Sequence, residues 1–186
     1  MYRASAYLAL REGVPLDSSE QVAACIRSHS ISLDADGRVT VDGEDVSGLI
    51  RTPEISDAAS VISSGPPVRR EMVAIQKLFG SGRDTVAEGR DMGTVVFPDA
   101  FLKVYVVADV AVRVMRRWRE LRLAGRQADF DELLRGQLTR DRRDRTRADS
   151  PLRLAPGAVM LDSTLMSIPM QADAVVNLYL SRKRTT

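Results

Sequence analysis

The chain has 186 residues, enough for one compact α/β domain with insertions, and 44% of them are apolar, so a core can form. Only 5% are aromatic and the net charge is +2, which argues against a nucleic-acid binder built on base stacking and a general basic coat. A single cysteine, Cys25, excludes an intramolecular disulfide framework, and a single histidine, His29, excludes a His-based metal site. No apolar run approaches the ~20 residues of a membrane span, and the first ten residues lack the apolar core of a signal peptide. The expectation is therefore a cytoplasmic protein without a metal, a membrane or a nucleic acid as partner. Lysine occurs only at Lys77, Lys103 and Lys183. The other cations are arginines, whose planar fork grips phosphate at two points. A GC-rich genome that uses arginine for any surface cation is the plain alternative for this bias.

The first residues read as a helix, with Tyr2, Ala6, Ala9 and Leu10 on one face and no strand before it. Asp17-Ser18-Ser19-Glu20 resembles a capping box and opens a second helix to about His29, with Cys25 in its core face. His29 reads as structural. Two alternating segments, 31–34 and 38–41, flank Ala35-Asp36-Gly37, an Asp-Gly hairpin signal, and 42–45 reads as another turn. Helices are expected over 53–64 and 67–79, broken by Gly65-Pro66-Pro67. Residues 85–88 read as a short strand with Gly89-Arg90-Asp91 at its carboxyl end. Residues 102–108 form the clearest strand, apolar enough to be buried in a parallel sheet. Helices follow over 110–123 and 129–147, then a strand over 158–162 and a helix over 170–180. Trp118, Met92 and Met115 read as packing residues. Alternating strands and helices imply a parallel, doubly wound sheet.

The block Arg140 to Arg147 carries the most information. On a helix Arg140, Asp144 and Arg147 share one face, with Arg143 beside them. Arginines on that face can clamp phosphate, and the carboxylate can orient them or accept from a sugar hydroxyl or an amine. An exposed helix laced with salt bridges is the plain alternative. Glu88-Gly89-Arg90-Asp91-Met92-Gly93-Thr94 sits where a buried strand should end, the edge at which doubly wound sheets bind ligands. Its two glycines suggest close approach by a ligand.

The stretch from Gly89 to Ala100 resembles the bacterial cytidylate kinases. So do Gly43-Glu44-Asp45-Val46-Ser47 with Ile50-Arg51-Thr52, the block Arg140 to Arg147, and Leu161-Asp162-Ser163-Thr164, in the same order and spacing. The resemblance runs from Tyr2 to about Val176. It implies a phosphate-loop NTPase-like nucleoside monophosphate kinase, three-layered around a parallel sheet. A small antiparallel substrate-binding insert would cover 13–74, a helical lid 124–148, and a core 1–12 with 75–186. It implies that Arg3 and Arg69 hold the monophosphate, that Ser60, Arg90 and Asp91 meet the cytosine or its surroundings, and that Asp144 binds the sugar hydroxyls. Arg147 would lie near the substrate phosphate, and Arg140 would stabilise the phosphoryl group in transfer. ATP, carried with Mg2+, would be the donor, CMP or dCMP the acceptor, and the protein a monomer.

The family's phosphate loop has no counterpart here. No Gly-x-x-x-x-Gly-Lys-Ser/Thr occurs, and Gly80-Ser81-Gly82-Arg83-Asp84-Thr85 lacks the Lys and precedes a strand, so it reads as a turn. No residue can therefore be assigned to the ATP phosphates. The family's first strand, loop and helix would precede Tyr2-Arg3, so the first strand of the fold is expected to be missing. A misassigned start is the preferred explanation; a degraded gene, or a piece supplied by another chain, would also account for it. The alternative function is a catalytically incomplete remnant that binds CMP.

Overall fold

The computed structural model describes residues 1–34 and 36–184. The chain divides into two compact units, Met1–Val86 and Ala87–Thr186.

The first unit is built on four helices: α1 (Tyr2–Arg11), α2 (Ser19–Arg27), α3 (Pro53–Ile62) and α4 (Pro66–Gly80). Between α2 and α3 lie three short strands, β1 (Ile31–Leu33), β2 (Val39–Val41) and β3 (Glu44–Asp45), and a 3-10 turn over Leu49–Arg51. α1 packs on α3, and α2 on α4. The buried face of α1 is Ala4, Ser5, Ala6, Leu8 and Ala9, whereas Leu10 is exposed, so the apolar stripe is set one residue away from the expected face. Val22, Ala23 and Ile26 of α2, Ile55, Ala58, Ala59 and Ile62 of α3, and Val68 and Met72 of α4 close the core. Cys25 is only partly buried and packs against its edge.

Local chemistry explains the boundaries. The Thr52 hydroxyl accepts from Ile55 N at 3.2 Å and Pro53 takes the first helical position, which together start α3. The Ser18 N-cap of α2 makes no side-chain bond, so the expected capping box does not form. β1 and β2 pair antiparallel, with Ile31 opposite Val41 and Leu33 opposite Val39. The Asp34 carboxylate accepts from the backbone of Asp36 and Arg38, and Gly37 takes φ 79°. Ala35 of the expected turn lies outside the described residues. Residues 44–45 are not only a turn: they pair with β2 as a third strand. Gly65 is needed for close approach, because a Cβ there would lie 2.5 Å from Ser19 Cβ.

In the second unit, β4 (Val104–Val107) and β5 (Val159–Asp162) pair in parallel, Val104 opposite Val159 and Val107 opposite Asp162. The crossover contains α5 (Val110–Leu123) and α6 (Phe130–Thr146), and α7 (Ile168–Lys183) follows β5. Asp109, Asp129 and Ser167 cap α5, α6 and α7 with side-chain oxygens. Residues 85–88 do not form a strand. They pair with no other strand among the described residues, and Val86 is fully exposed, since an extended segment becomes a strand only through a ladder partner. β4 is shorter than expected and only partly buried, with Val106 53% exposed. Met92–Val96 forms a π-helical turn. Trp118 is half-buried and donates from Nε1 to Ala128 O at 3.0 Å, with Arg122 over its ring, consistent with packing.

Candidate functional site

In the first unit, Arg3 projects from α1 and donates to Ile50 O at 3.4 Å, at the 3-10 turn. Arg69, on the first turns of α4, is only 2% exposed and donates from Nη1 to Ser63 O at 3.2 Å. Ser60 lies on α3, half-buried, and its carbonyl accepts from Ser63 Oγ. The α3–α4 corner thus bears both Ser60 and the anchor of Arg69. A charge this deeply buried is normally retained because it is hydrogen-bonded or serves a ligand. His29 meets a carboxylate that the sequence did not reveal: its Nδ1 lies 2.6 Å from Asp42 Oδ2. That bond and Ser30 N hold Asp42 below the usual carboxylate range, the Ser30 bond being the larger influence.

In the second unit, Arg90, Asp144 and Arg147 come together. Arg90 Nε donates to Asp144 Oδ2 at 2.8 Å, across 54 positions of sequence. Arg147 Nη1 lies 3.8 Å from Asp144 Oδ1, while its Nε donates to Ser150 O at 2.7 Å. The side chains of Asp144 and Arg147 are 13% and 9% exposed, that of Arg90 45%. After α6 the chain folds back, with Leu152 N donating to Asp144 O at 2.7 Å and Ser150 at φ 48°. A left-handed non-glycine residue costs roughly 1–2 kcal/mol. Here it accompanies the carbonyl that holds Arg147. One carboxylate between two guanidiniums leaves net positive charge beside a strong acceptor, a combination suited to an anionic ligand that also carries hydroxyl or amine donors.

Arg140 lies one turn earlier on the same face of α6 and is exposed. Asp91 is buried at 5% and precedes the π-helical turn, its carbonyl accepting from Thr94, Val95 and Val96 N. The glycines around it make room for the protein itself. A Cβ at Gly89 would lie 2.9 Å from Met92 Cε, and one at Gly93 3.2 Å from Ala155 Cβ.

Three further groups build the carboxyl edge of β4 and β5. Arg113 grips Asp141 with Nη1 at 3.1 Å and Nη2 at 2.7 Å, and Gln137 donates to the same carboxylate at 2.7 Å. Burial pushes the Asp141 carboxyl up, but these bonds outweigh it and hold it below the usual range. Arg116 Nη2 donates to the carbonyls of Ser163, Thr164 and Met166 at 2.6, 3.3 and 3.1 Å. In the Leu161-Asp162-Ser163-Thr164 motif, Asp162 Oδ1 accepts from Thr164 Oγ1 at 2.6 Å and from Thr164 N at 2.8 Å. Ser163 Oγ donates to Val107 O at 3.1 Å, stitching β5 to β4. Arg113 and Arg116 could have been found only as members of an arginine-rich helix, because their partners are distant in sequence. An open cleft of about 440 Å³ lies beside Arg113 and Asp141, its lining including Ala108, Val110, Arg142 and Arg145. Among the described residues no group of three His, Cys, Asp or Glu side chains is placed to hold a metal ion, and no helix is long and apolar enough to cross a membrane.

A parallel strand pair with a helical crossover, carrying convergent arginines and a carboxylate, agrees with the α/β architecture of a nucleoside monophosphate kinase, the class that the family match shows. The cytidylate kinase family model matches residues 1–181, and the chain belongs to that family. It is 44% identical over 187 residues to a cytidylate kinase of Solibacter usitatus, covering 98% of this chain and 79% of that protein. A cytidylate kinase of Desulfitobacterium hafniense is 40% identical, with 100% and 81% covered. A bifunctional pantoate ligase/cytidylate kinase of Synechococcus sp. is 41% identical over 185 residues, but the chain spans only 34% of its length. These names all carry the kinase, and none points to a chain that only binds the monophosphate.

Proposed function

We propose that the chain transfers the γ-phosphoryl group of ATP, supplied as its Mg2+ complex, to CMP or dCMP, giving ADP and the pyrimidine diphosphate. The observation that carries this reading is the Arg90–Asp144–Arg147 cluster, beside Arg140 on α6, in a chain of the cytidylate kinase family. Phosphoryl transfer is mostly positioning and charge neutralisation, so convergent arginines are the required equipment.

In this reading Asp144 accepts from the sugar hydroxyls while orienting Arg90 toward the base. Arg147, held by Ser150 O, meets the acceptor phosphate. Arg140, exposed on α6, neutralises the group in flight. Arg3 and Arg69 bind the monophosphate and Ser60 and Asp91 line the cytosine. Residues 13–74 act as the substrate-binding insert and 124–148 as a lid that excludes water, so that ATP is not simply hydrolysed. The enzyme works in the cytoplasm, as a monomer, on small nucleotides.

Isothermal titration with CMP, followed by a coupled assay with Mg-ATP and CMP, tests this. Saturable CMP binding and CDP formation are expected. Absence of CMP binding by a folded chain overturns the assignment of the substrate site, and binding without CDP formation overturns the assignment of the reaction to this chain.

A further inference from the structure

α6 has two working faces. Arg140 and Asp144 share one, with Arg147 just past its end at the extended C-cap, and Leu138, Asp141, Arg142 and Arg145 share the other, about half a turn away at 3.6 residues per turn. The first face is accounted for by the proposed chemistry; the second is not. On it, the Asp141 carboxylate is 15% exposed and receives three donors, two from Arg113 and one from Gln137. Arg113 also donates from Nε to Ala108 O at 3.1 Å, the carbonyl that follows β4. One guanidinium therefore joins three elements: the carboxyl end of β4, the first turns of α5 and the middle of α6.

We propose that Arg113 is a positioning residue that fastens α6 to the carboxyl end of β4 through Asp141, and so sets where Arg140, Asp144 and Arg147 stand. This rests on the reading of those three residues as the substrate and transfer face. A pair of parallel N–H···O bonds fixes orientation as well as distance, which a single ammonium cannot do. Asp141 is one residue from Arg140 and three from Asp144, so a rotation of α6 released by loss of the fork carries both away from their places. The open cleft against Arg113 and Asp141 gives the helix room to swing once the fork is gone.

The test separates geometry from activity. Spin labels at Arg119→Cys on α5 and Arg135→Cys on α6, in a Cys25→Ser background, report the spacing of the two helices. Arg113→Ala and Arg113→Lys are each expected to shift and broaden that distance distribution. Both should also lower kcat by about 100-fold, the effect of displacing catalytic groups by about an ångström, and raise KM for the monophosphate, because Asp144 is displaced together with Arg140. Asp141→Asn, which keeps the side-chain size, should shift the distribution in the same direction if Arg113→Ala fails to fold. An unchanged distribution in Arg113→Ala or Asp141→Asn overturns the proposal, and so does full turnover in Arg113→Lys. If the unsubstituted chain itself makes no CDP, the kinase reading fails, while the distances still decide the fastening.

Discussion

The two units of the molecule are held together by different chemistry. In Met1–Val86 the core is aliphatic and continuous, running from Ala4 and Leu8 through Ile26, Val41 and Ile62 to Met72. In Ala87–Thr186 the buried apolar residues are few, Val96, Val114 and Ala155, and neither α6 nor α7 contains a buried residue. There the order comes from directed bonds: Arg113 on Asp141, Arg116 on three carbonyls, Arg90 on Asp144, Ser163 on Val107 O. Apolar burial is non-directional and scales with area, whereas a guanidinium fork sets angles. Arg90, Asp144 and Arg147 are thus set by directed bonds, whereas Arg3, Ser60 and Arg69 stand on helices whose other faces build the aliphatic core.

Substitutions in the two halves should therefore separate stability from turnover. The largest effect expected is on Arg140: Arg140→Ala should cut kcat by about a thousandfold, the low end for an arginine that stabilises a transferring phosphoryl group, with the melting temperature unchanged. Steady-state assays with calorimetry check it, and unchanged turnover would refute the role. Leu8→Ala, at a fully buried position of α1, should destabilise the first unit by about 2–5 kcal/mol in urea unfolding. A loss below that range would mean the aliphatic core is less dominant than its burial suggests.

Asp144→Ala should weaken CMP binding by roughly 1.5–3 kcal/mol in titration, the worth of a hydrogen bond to a charged group. A drop in turnover at saturating CMP, with affinity retained, would move Asp144 from binding to transfer. Gly65→Ala should cost about 1–3 kcal/mol, because the new methyl meets Ser19 Cβ on α2. The smallest effect concerns pH. The folded Asp141 carboxyl lies below its unfolded value of about 3.9. Its contribution is therefore complete above that value and is lost only as pH falls through the lower folded pKa. Spin-label distances between α5 and α6 should stay constant from neutral pH down to about 4 and change only below it.

The resemblance, read from four motifs, extended over nearly the whole chain, and the family match to residues 1–181 agrees with it. Helices at 53–62, 110–123 and 130–146 were legible because capping residues and Pro mark their starts and their apolar positions recur at helical spacing. The common face of Arg140 and Asp144 was equally legible, since helical periodicity alone places it, whereas Arg147, expected on the same helix, is its extended C-cap and stands near Asp144 for a different reason. Residues 85–88 read as a short strand leading into Gly89-Arg90-Asp91, but pairing with another segment is what makes a strand, and they have none among the described residues. The same limit hid β3, which looked like part of a turn until Val41 was found opposite Glu44.

What the sequence determined by itself is local: helix starts, the hairpin at Asp34 to Arg38, the arginine bias, and the motif blocks with their spacing. These depend on neighbours within a few positions, so they survive without knowledge of the fold. Only the tertiary structure decided which charges meet. Arg90 finds Asp144 across 54 positions and Arg113 finds Asp141 across 28. Each of the many arginines could satisfy any nearby carboxylate, and choosing among them requires the crossover from β4 to β5 that brings α5 against α6.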